Sequence, residues 1–560
     1  MTDTDSAPML DPLPVRPADR RRPRLWRSVF AFLVSVSLLL AMTGIAVFAQ
    51  TGATGGPVYV PATAVGYAEV RLDLPGDQHD QLAAFMAHFP GFADPAAFDT
   101  KLNQVLDQAL SSSTGGSATW TGNIQTWSNG QVGVGILALP TTAGAQPSFV
   151  VGLGLRDRAA LESQLTTMLG TRTATTQDHA GTTITTAGNV SYAVTDAYLL
   201  VSPVVADVES SLDVLAGTAP SLAANADYQA ARASQPAADL GSFYLQTAAL
   251  KPLIEQQLNL QPGSAMLLGQ LANLPAWISG YAQIASDHLT VGASTQLASG
   301  SMAPSVRETD LAAHFPASTL AYVETRDLGT TVDTLLAQLK TQLAADPKNS
   351  QTITGIEQGL GATLDKALDF VQDGAVGVGF DGQQLSAGIV ATLTDEASGG
   401  RRIQTLLGLL RLVGGGANAP FTITSSVVSG ATVTTITLQP SAGIPADLPF
   451  TPAISVAVAD GHLYLGLGDF AATALAQDPQ ASLATSPRYA AGVSAAGTPN
   501  AGVIWVDAAA VAPLLVQMAG ADDTAYETNI KPWVDALDYF VATATVDGDV
   551  ASLKALLFVK

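Results

Sequence analysis

Apolar and polar positions alternate in short runs along much of this chain, interrupted by stretches with a helical period. In 67–72, Ala68, Val70 and Leu72 point one way and Tyr67, Glu69 and Arg71 the other, which predicts a strand. In 101–110, Leu102, Val105, Leu106 and Ala109 share one face of a predicted helix. Asp157 is placed to cap a second helix, whose stripe is Leu161, Leu165 and Met168; 402–413 is its later counterpart. Asp381-Gly382 and Asp460-Gly461 each separate two alternating runs, the composition of a tight turn between antiparallel strands.

One apolar run is different in kind. Residues 29–49 carry no charge and are long enough for a bilayer-spanning helix. Six arginines precede this run (Arg16, Arg20, Arg21, Arg22, Arg24 and Arg27), and the next basic residue is Arg71. The positive-inside rule then places 1–28 in the cytoplasm as a basic tail and 50–560 outside, with 50–60 a Gly/Pro/Thr-rich tether. A cleavable signal peptide ending at Ala49 is the alternative, and it too exports the bulk of the chain.

The same signals recur in the same order. The stretch opening at Pro61 matches one opening at Pro316, pairing Tyr67 with Tyr322, Glu69 with Glu324 and Arg71 with Arg326. Gly130 onward matches Gly374 onward, Val194 onward matches Val458 onward, and Ser221 onward matches Ser482 onward. Phe243 onward matches Ile504 onward. Five matches in register predict an internal duplication, with repeats at 61–300 and 310–560. The expected fold is α+β: two tandem copies of an antiparallel twisted sheet with helices packed on one face, behind a single N-terminal transmembrane helix.

Charge sharpens the picture of the exported part. The chain has 25 Lys and Arg against 47 Asp and Glu, a net of −22, and only 13% of residues are charged. An excess of acid repels phosphate, so nucleic-acid binding is not expected. There are no cysteines, which removes disulfides, zinc–thiolate sites, iron–sulfur clusters and thiol nucleophiles.

Candidate chemistry is sparse. Gly377, Gly379 and Gly382 fit a dinucleotide fingerprint, but a turn and a strand follow where a helix is required, so no cofactor is expected. Asp77, His79 and Asp80 could gather around a metal, yet a polar loop with Asp80 capping a helix explains them better, and no metal is expected there. His88, His179, His288, His314 and His462 form no two-histidine helical motif; His288 and His462 are expected as packed strand residues. Neither G-x-S-x-G nor S-x-x-K occurs, and no P-loop. The repeated Glu69/Arg71 and Glu324/Arg326 pairs have the spacing of one strand face, so a recognition face presented twice is the candidate site. Trp120 and Trp127 are alternative contact residues.

The anchor, the strand carrying Pro316, Thr319 and Tyr322, the Asp460-Gly461-His462-Leu463 hairpin and the run from Ser482 into the strand at Gly502 resemble a bacterial membrane-anchored family, domain of unknown function 3352. That family has no agreed activity, so the resemblance implies no catalytic residues. The expected function is a non-enzymatic cell-envelope binding or scaffold module at the cell membrane, its partner an envelope protein. A carrier of an apolar or lipid ligand and a hydrolase with a dispersed active site are the alternatives.

Overall fold

The computed structural model describes residues 56–560 except 73, 75, 114–117, 140–147, 171–172, 253–254, 256–273, 299–302, 344–349, 351–352, 356, 359–360, 381–383, 415–420, 440–451, 520–526 and 528–529. The tail 1–28, the span 29–49, most of the tether and the Asp381-Gly382 turn lie outside the described residues. Among the described residues no helix is long and apolar enough to cross a membrane.

The first half contributes β1 (Gly66–Arg71), β2 (Ser128–Ala138), β3 (Ser148–Leu155), β4 (Ala174–His179), β5 (Thr182–Ala187), β6 (Val190–Val194), β7 (Tyr198–Ser202), β8 (Gly241–Gln246), β9 (Trp277–Ile284) and β10 (His288–Gln296). The second half contributes β11 (Thr319–Thr325), β12 (Val371–Phe380), β13 (Leu385–Leu393), β14 (Phe421–Val428), β15 (Ala431–Leu438), β16 (Ala453–Ala459), β17 (His462–Leu467), β18 (Gly502–Val506), β19 (Leu537–Asp547) and β20 (Val550–Val559). Every pairing is antiparallel.

In space the first half runs β4-β5-β6-β7-β3-β2-β1-β8-β9-β10. The second runs β14-β15-β16-β17-β13-β12-β11-β18-β19-β20. The two orders are the same, and β10 pairs with β20 to join them edge to edge into one sheet. Outside the strands, Pro61 bridges Ser221 and Pro316 bridges Ser482. The fold is mixed helix and antiparallel sheet, α+β as expected.

Helices cover both faces, not one. On the face of Tyr67 and Tyr322 lie Val205–Leu215, Ala226–Ala233, Phe470–Leu475 and Pro487–Ala496, closing two cores around Tyr67, Tyr244 and Trp277 and around Tyr322, Phe470 and Trp505. On the opposite face Gln78–Met86 and Phe98–Ser113 bury Leu82, Phe85, Phe98, Leu102 and Leu106 over Val70 and Leu72. Arg158–Leu169 and Leu328–Leu343 lie on that face too. The cause is visible in the strands, which are apolar on both sides and so gain from being covered twice. Over 376–379 of β12, Val376 and Val378 point one way and Gly377 and Gly379 the other. A Cβ on Gly377 would stand 2.3 Å from the Phe315 ring, so the glycine makes the room that the ring fills.

The capping expectation holds: the Asp157 carboxylate accepts from the Ala160 N–H at 3.0 Å. Leu161 is buried below this helix, but Met168 is 58% exposed and leaves the predicted stripe. Asp460 and Gly461 take positive φ angles of 50° and 75° between β16 and β17, as a tight hairpin turn requires. One sequence match shifts. Tyr67 lies opposite Gly135 and Tyr322 opposite Gly377, so the positional counterpart of Gly377 is Gly135 and not Gly133. The V-G-V-G alternation has period two, and sliding it by two residues leaves every side chain on the same face.

Candidate functional site

The pattern Tyr-x-Glu-x-Arg lies within β1 and runs off the end of β11. Alternation puts the three side chains on one face, as the spacing predicts, and the tertiary fold covers that face with helices. Glu69, Glu324 and Arg326 are only 8%, 5% and 5% exposed. The expected solvent-facing recognition surface is therefore an interior polar network, because these residues share their face with Tyr67 and Tyr322, whose rings belong to the cores.

In the first half the Tyr67 hydroxyl donates to Glu69 Oε2 at 2.9 Å, and Ser242 Oγ donates to Glu69 Oε1 at 3.3 Å. Burial raises the Glu69 carboxyl, opposed by the Tyr67 hydrogen bond and the charges of Arg71 and Arg232. Glu69 and Arg71 line a narrow cleft with Tyr59, Tyr67 and Tyr198.

The second-half network is more fully ionic. Tyr322 donates to Glu324 Oε2 at 2.7 Å, while Arg326 Nη1 and Thr309 Oγ1 both donate to Glu324 Oε1. Arg326 also donates through Nη2 to Asn500 Oδ1 and through Nε to the Arg307 carbonyl, each at 3.0 Å. Arg307 in turn pairs with Asp327 and Asp373. Every guanidinium edge is used, which is what allows such a charge to be interior.

A second constellation was not legible in the sequence. His462, first residue of β17, lies against His314, at the end of the short turn Leu311–His314, with ring centroids 4.4 Å apart. His462 Nε2 is 3.3 Å from Asp310 Oδ1, and His462 Nδ1 is 2.8 Å from the Asp460 carbonyl. The Tyr464 hydroxyl is 3.2 Å from His314 Nδ1. One donor atom from each of Asp310, His314 and His462 lies within 4.8 Å of the others. His462 is buried, His314 half-buried and Asp310 exposed.

The three titrations follow from that geometry. The His462 hydrogen bond holds the Asp310 carboxyl below its usual range. Burial, then the neighbouring His462, lowers His314. Burial also acts to lower His462, but its hydrogen bond and attraction to Asp310 outweigh this and raise it. His462 is 148 residues from His314 and 152 from Asp310 in the chain, so only the tertiary fold joins it to them. The one local signal was the four-residue step from Asp310 to His314 just ahead of Pro316.

The remaining candidates fall elsewhere. His79 bonds the exposed Asp80 and Asp99 at 3.2 and 2.9 Å. Its helix starts at Gln78, so Asp80 lies in the first turn and is not the cap. Trp120 and Trp127 are buried packing residues. His179 bonds Asp213 and His288 bonds Asp287.

No curated protein matches the chain. Among solved structures it is similar to crystal form III of TP0453, at 10% identity and a TM-score of 0.24 over 45% of this chain and 84% of that one. Crystal form I of TP0453 gives 9% identity and a TM-score of 0.24 over 45% and 82%. Likeness at this level carries no argument about function. The family model described as "Protein of unknown function (DUF3352)" matches residues 29–557, and the chain belongs to that family.

Proposed function

We propose that the chain is a membrane-anchored, extracytoplasmic binding module, built as two copies of one ten-stranded unit and held at the cell membrane by residues 29–49. The identical strand orders and the paired bridges at Pro61 and Pro316 support the duplication. The anchor rests on the arginine-flanked apolar run.

One observation carries the binding role: an apolar stripe on the open centre of the sheet. Phe243, Val291, Val323, Val376, Ile504 and Leu553 are each between 40% and 49% exposed. Strand register makes them neighbours. Val323 lies directly opposite both Val376 and Ile504, and the row continues through the buried Ala542 and half-buried Ala555 to Val291. A row two residues away joins Ala68, Phe243, Gly280, Ala293 and Leu553. The stripe crosses the seam between the halves, so it exists only in the joined sheet. A contiguous apolar patch of this kind suits docking of an apolar face from an envelope protein.

The chain lacks cysteine, so a single introduced cysteine reports unambiguously. An impermeant maleimide should label Lys560→Cys in intact cells; labelling only after lysis would place this domain inside. Cysteine crosslinking from Thr325→Cys, an exposed position on the same strand face as Val323, should capture the same partner repeatedly. Val323→Lys with Leu553→Lys should abolish capture without changing the melting temperature. Capture that survives both lysines refutes the stripe as the docking face.

A second reading, a carrier of an apolar ligand, is favoured by an open groove of about 540 Å³ between the helix Glu396–Gly414 and strands β15 and β16. Ile403, Leu407, Val456 and Val458 line it beside Glu396, Gln404, Thr432 and Thr434. Lipid extracted from the purified chain by solvent and identified by mass spectrometry would favour this reading over the first.

A further inference from the structure

We propose that Asp310, His314 and His462 bind one divalent transition-metal ion of the zinc type, through two imidazole nitrogens and one carboxylate oxygen. Three facts support it, beginning with orientation. His462 Nδ1 faces the Asp460 carbonyl at 2.8 Å and can only donate to it. In the neutral ring that leaves Nε2 as the lone-pair nitrogen, and Nε2 is the atom facing Asp310 at 3.3 Å. A lone pair and a carboxylate oxygen repel unless a positive charge stands between them. That charge is a second proton or a metal ion. Backbone carbonyls fix the tautomer of metal-binding histidines in this way.

The second fact is the donor set. Two nitrogens and one oxygen suit zinc and its neighbours and not magnesium or calcium, which take oxygen ligands. Ligand atoms around a zinc ion stand roughly 3.4 Å apart, given bonds of about 2.1 Å. The present donors, within 4.8 Å of one another, close to that spacing by a shift of about 1 Å. Asp310 is exposed and free to supply this movement. Three protein ligands leave a coordination position open on the Asp310 side, where water or a substrate oxygen could bind.

The third fact comes from the other half. Tyr198 occupies the place of His462: Tyr198 pairs with Gly154 on β3, as His462 pairs with Thr392 on β13. Tyr59, two residues before Pro61, occupies the place of His314, two residues before Pro316. Tyr59 and Tyr198 also touch, with centroids 5.1 Å apart. The fold at this point therefore requires two rings and is indifferent to imidazole. Packing does not explain the histidines.

The same comparison supplies the test. Full-length protein stripped with chelator is titrated with Zn²⁺ by calorimetry and with Co²⁺ by visible absorption. The expected result is one ion per chain, with ligand-field bands for Co²⁺ and a rise in melting temperature with Zn²⁺. Asp310→Asn, at an exposed position, should weaken binding at least tenfold. His314→Tyr with His462→Tyr copies the first half, and should keep the fold while losing the ion. If the parent chain takes up no stoichiometric ion, the charge facing Asp310 is a proton and the site does not exist. Uptake unchanged in Asp310→Asn and in the double tyrosine variant would place the ion elsewhere and overturn the proposal equally.

Discussion

At equivalent places on the sheet the first half holds Tyr59 against Tyr198, and the second holds His314 against His462. Both pairs are rings packed beside the start of a central strand, and both satisfy the same frame. Their chemistry differs completely. Burial raises the Tyr59 phenol far above any physiological pH, so it stays neutral. The imidazoles carry lone pairs and face a carboxylate. The interior acids diverge in the same way. Glu69 is held by Tyr67 and Ser242, whereas Glu324 is locked to the buried guanidinium of Arg326. The frame depends on which backbone groups pair, and so it tolerates exchanges that keep ring or carboxyl shape. Charge and donor chemistry are then free to differ between halves.

The ionic difference predicts the largest effect. Arg326→Met leaves Glu324 buried without its partner and should cost about 3–5 kcal/mol. Arg71→Met should cost clearly less, since Arg71 is only half-buried. Urea denaturation of both variants decides; equal losses would mean the two networks do the same work. Packing comes next. Gly377→Ala drives a Cβ to 2.3 Å from the Phe315 ring, and should cost about 1–3 kcal/mol. The counterpart Gly135→Ala meets a Val60 methyl at 2.8 Å and should cost less. Equal melting temperatures for the pair would show that the Phe315 ring yields as readily as the Val60 methyls.

The smallest effect is a pH dependence of the first half. Burial raises Glu69 above its usual value of 4.5, so the folded state binds this proton more tightly than the unfolded state. Its contribution to stability is full below about 4.5 and is lost as pH rises through the raised value. Glu69→Gln should flatten that part of the stability curve. A curve of unchanged slope would show that Glu69 titrates at its ordinary value when folded.

Local order was legible in the chain. The alternation of 67–72 marked a strand and assigned its two faces correctly, because side-chain direction along a strand is a property of the backbone alone. Asp157 marked a helix start, and Asp460-Gly461 a turn, for equally local reasons. The same alternation misled where a face had to be called wet or dry. Glu69, Glu324 and Arg326 read as surface charges, since charge is usually solvated. Whether a face is covered depends on helices far away in sequence. The match at Gly130 slipped by two because a period-two pattern has no unique register of its own; strand pairing supplied it.

By itself, then, the sequence determined element types, the repeated order of signals, the absence of cysteine chemistry and the family. Tertiary structure decided which faces are interior, that the halves join through β10 and β20, and that Asp310, His314 and His462 meet. The reason is physical. Periodicity, caps and turns are set by interactions within a few residues, whereas burial and convergence of donors are set by contacts across about 150 residues, which no local pattern encodes.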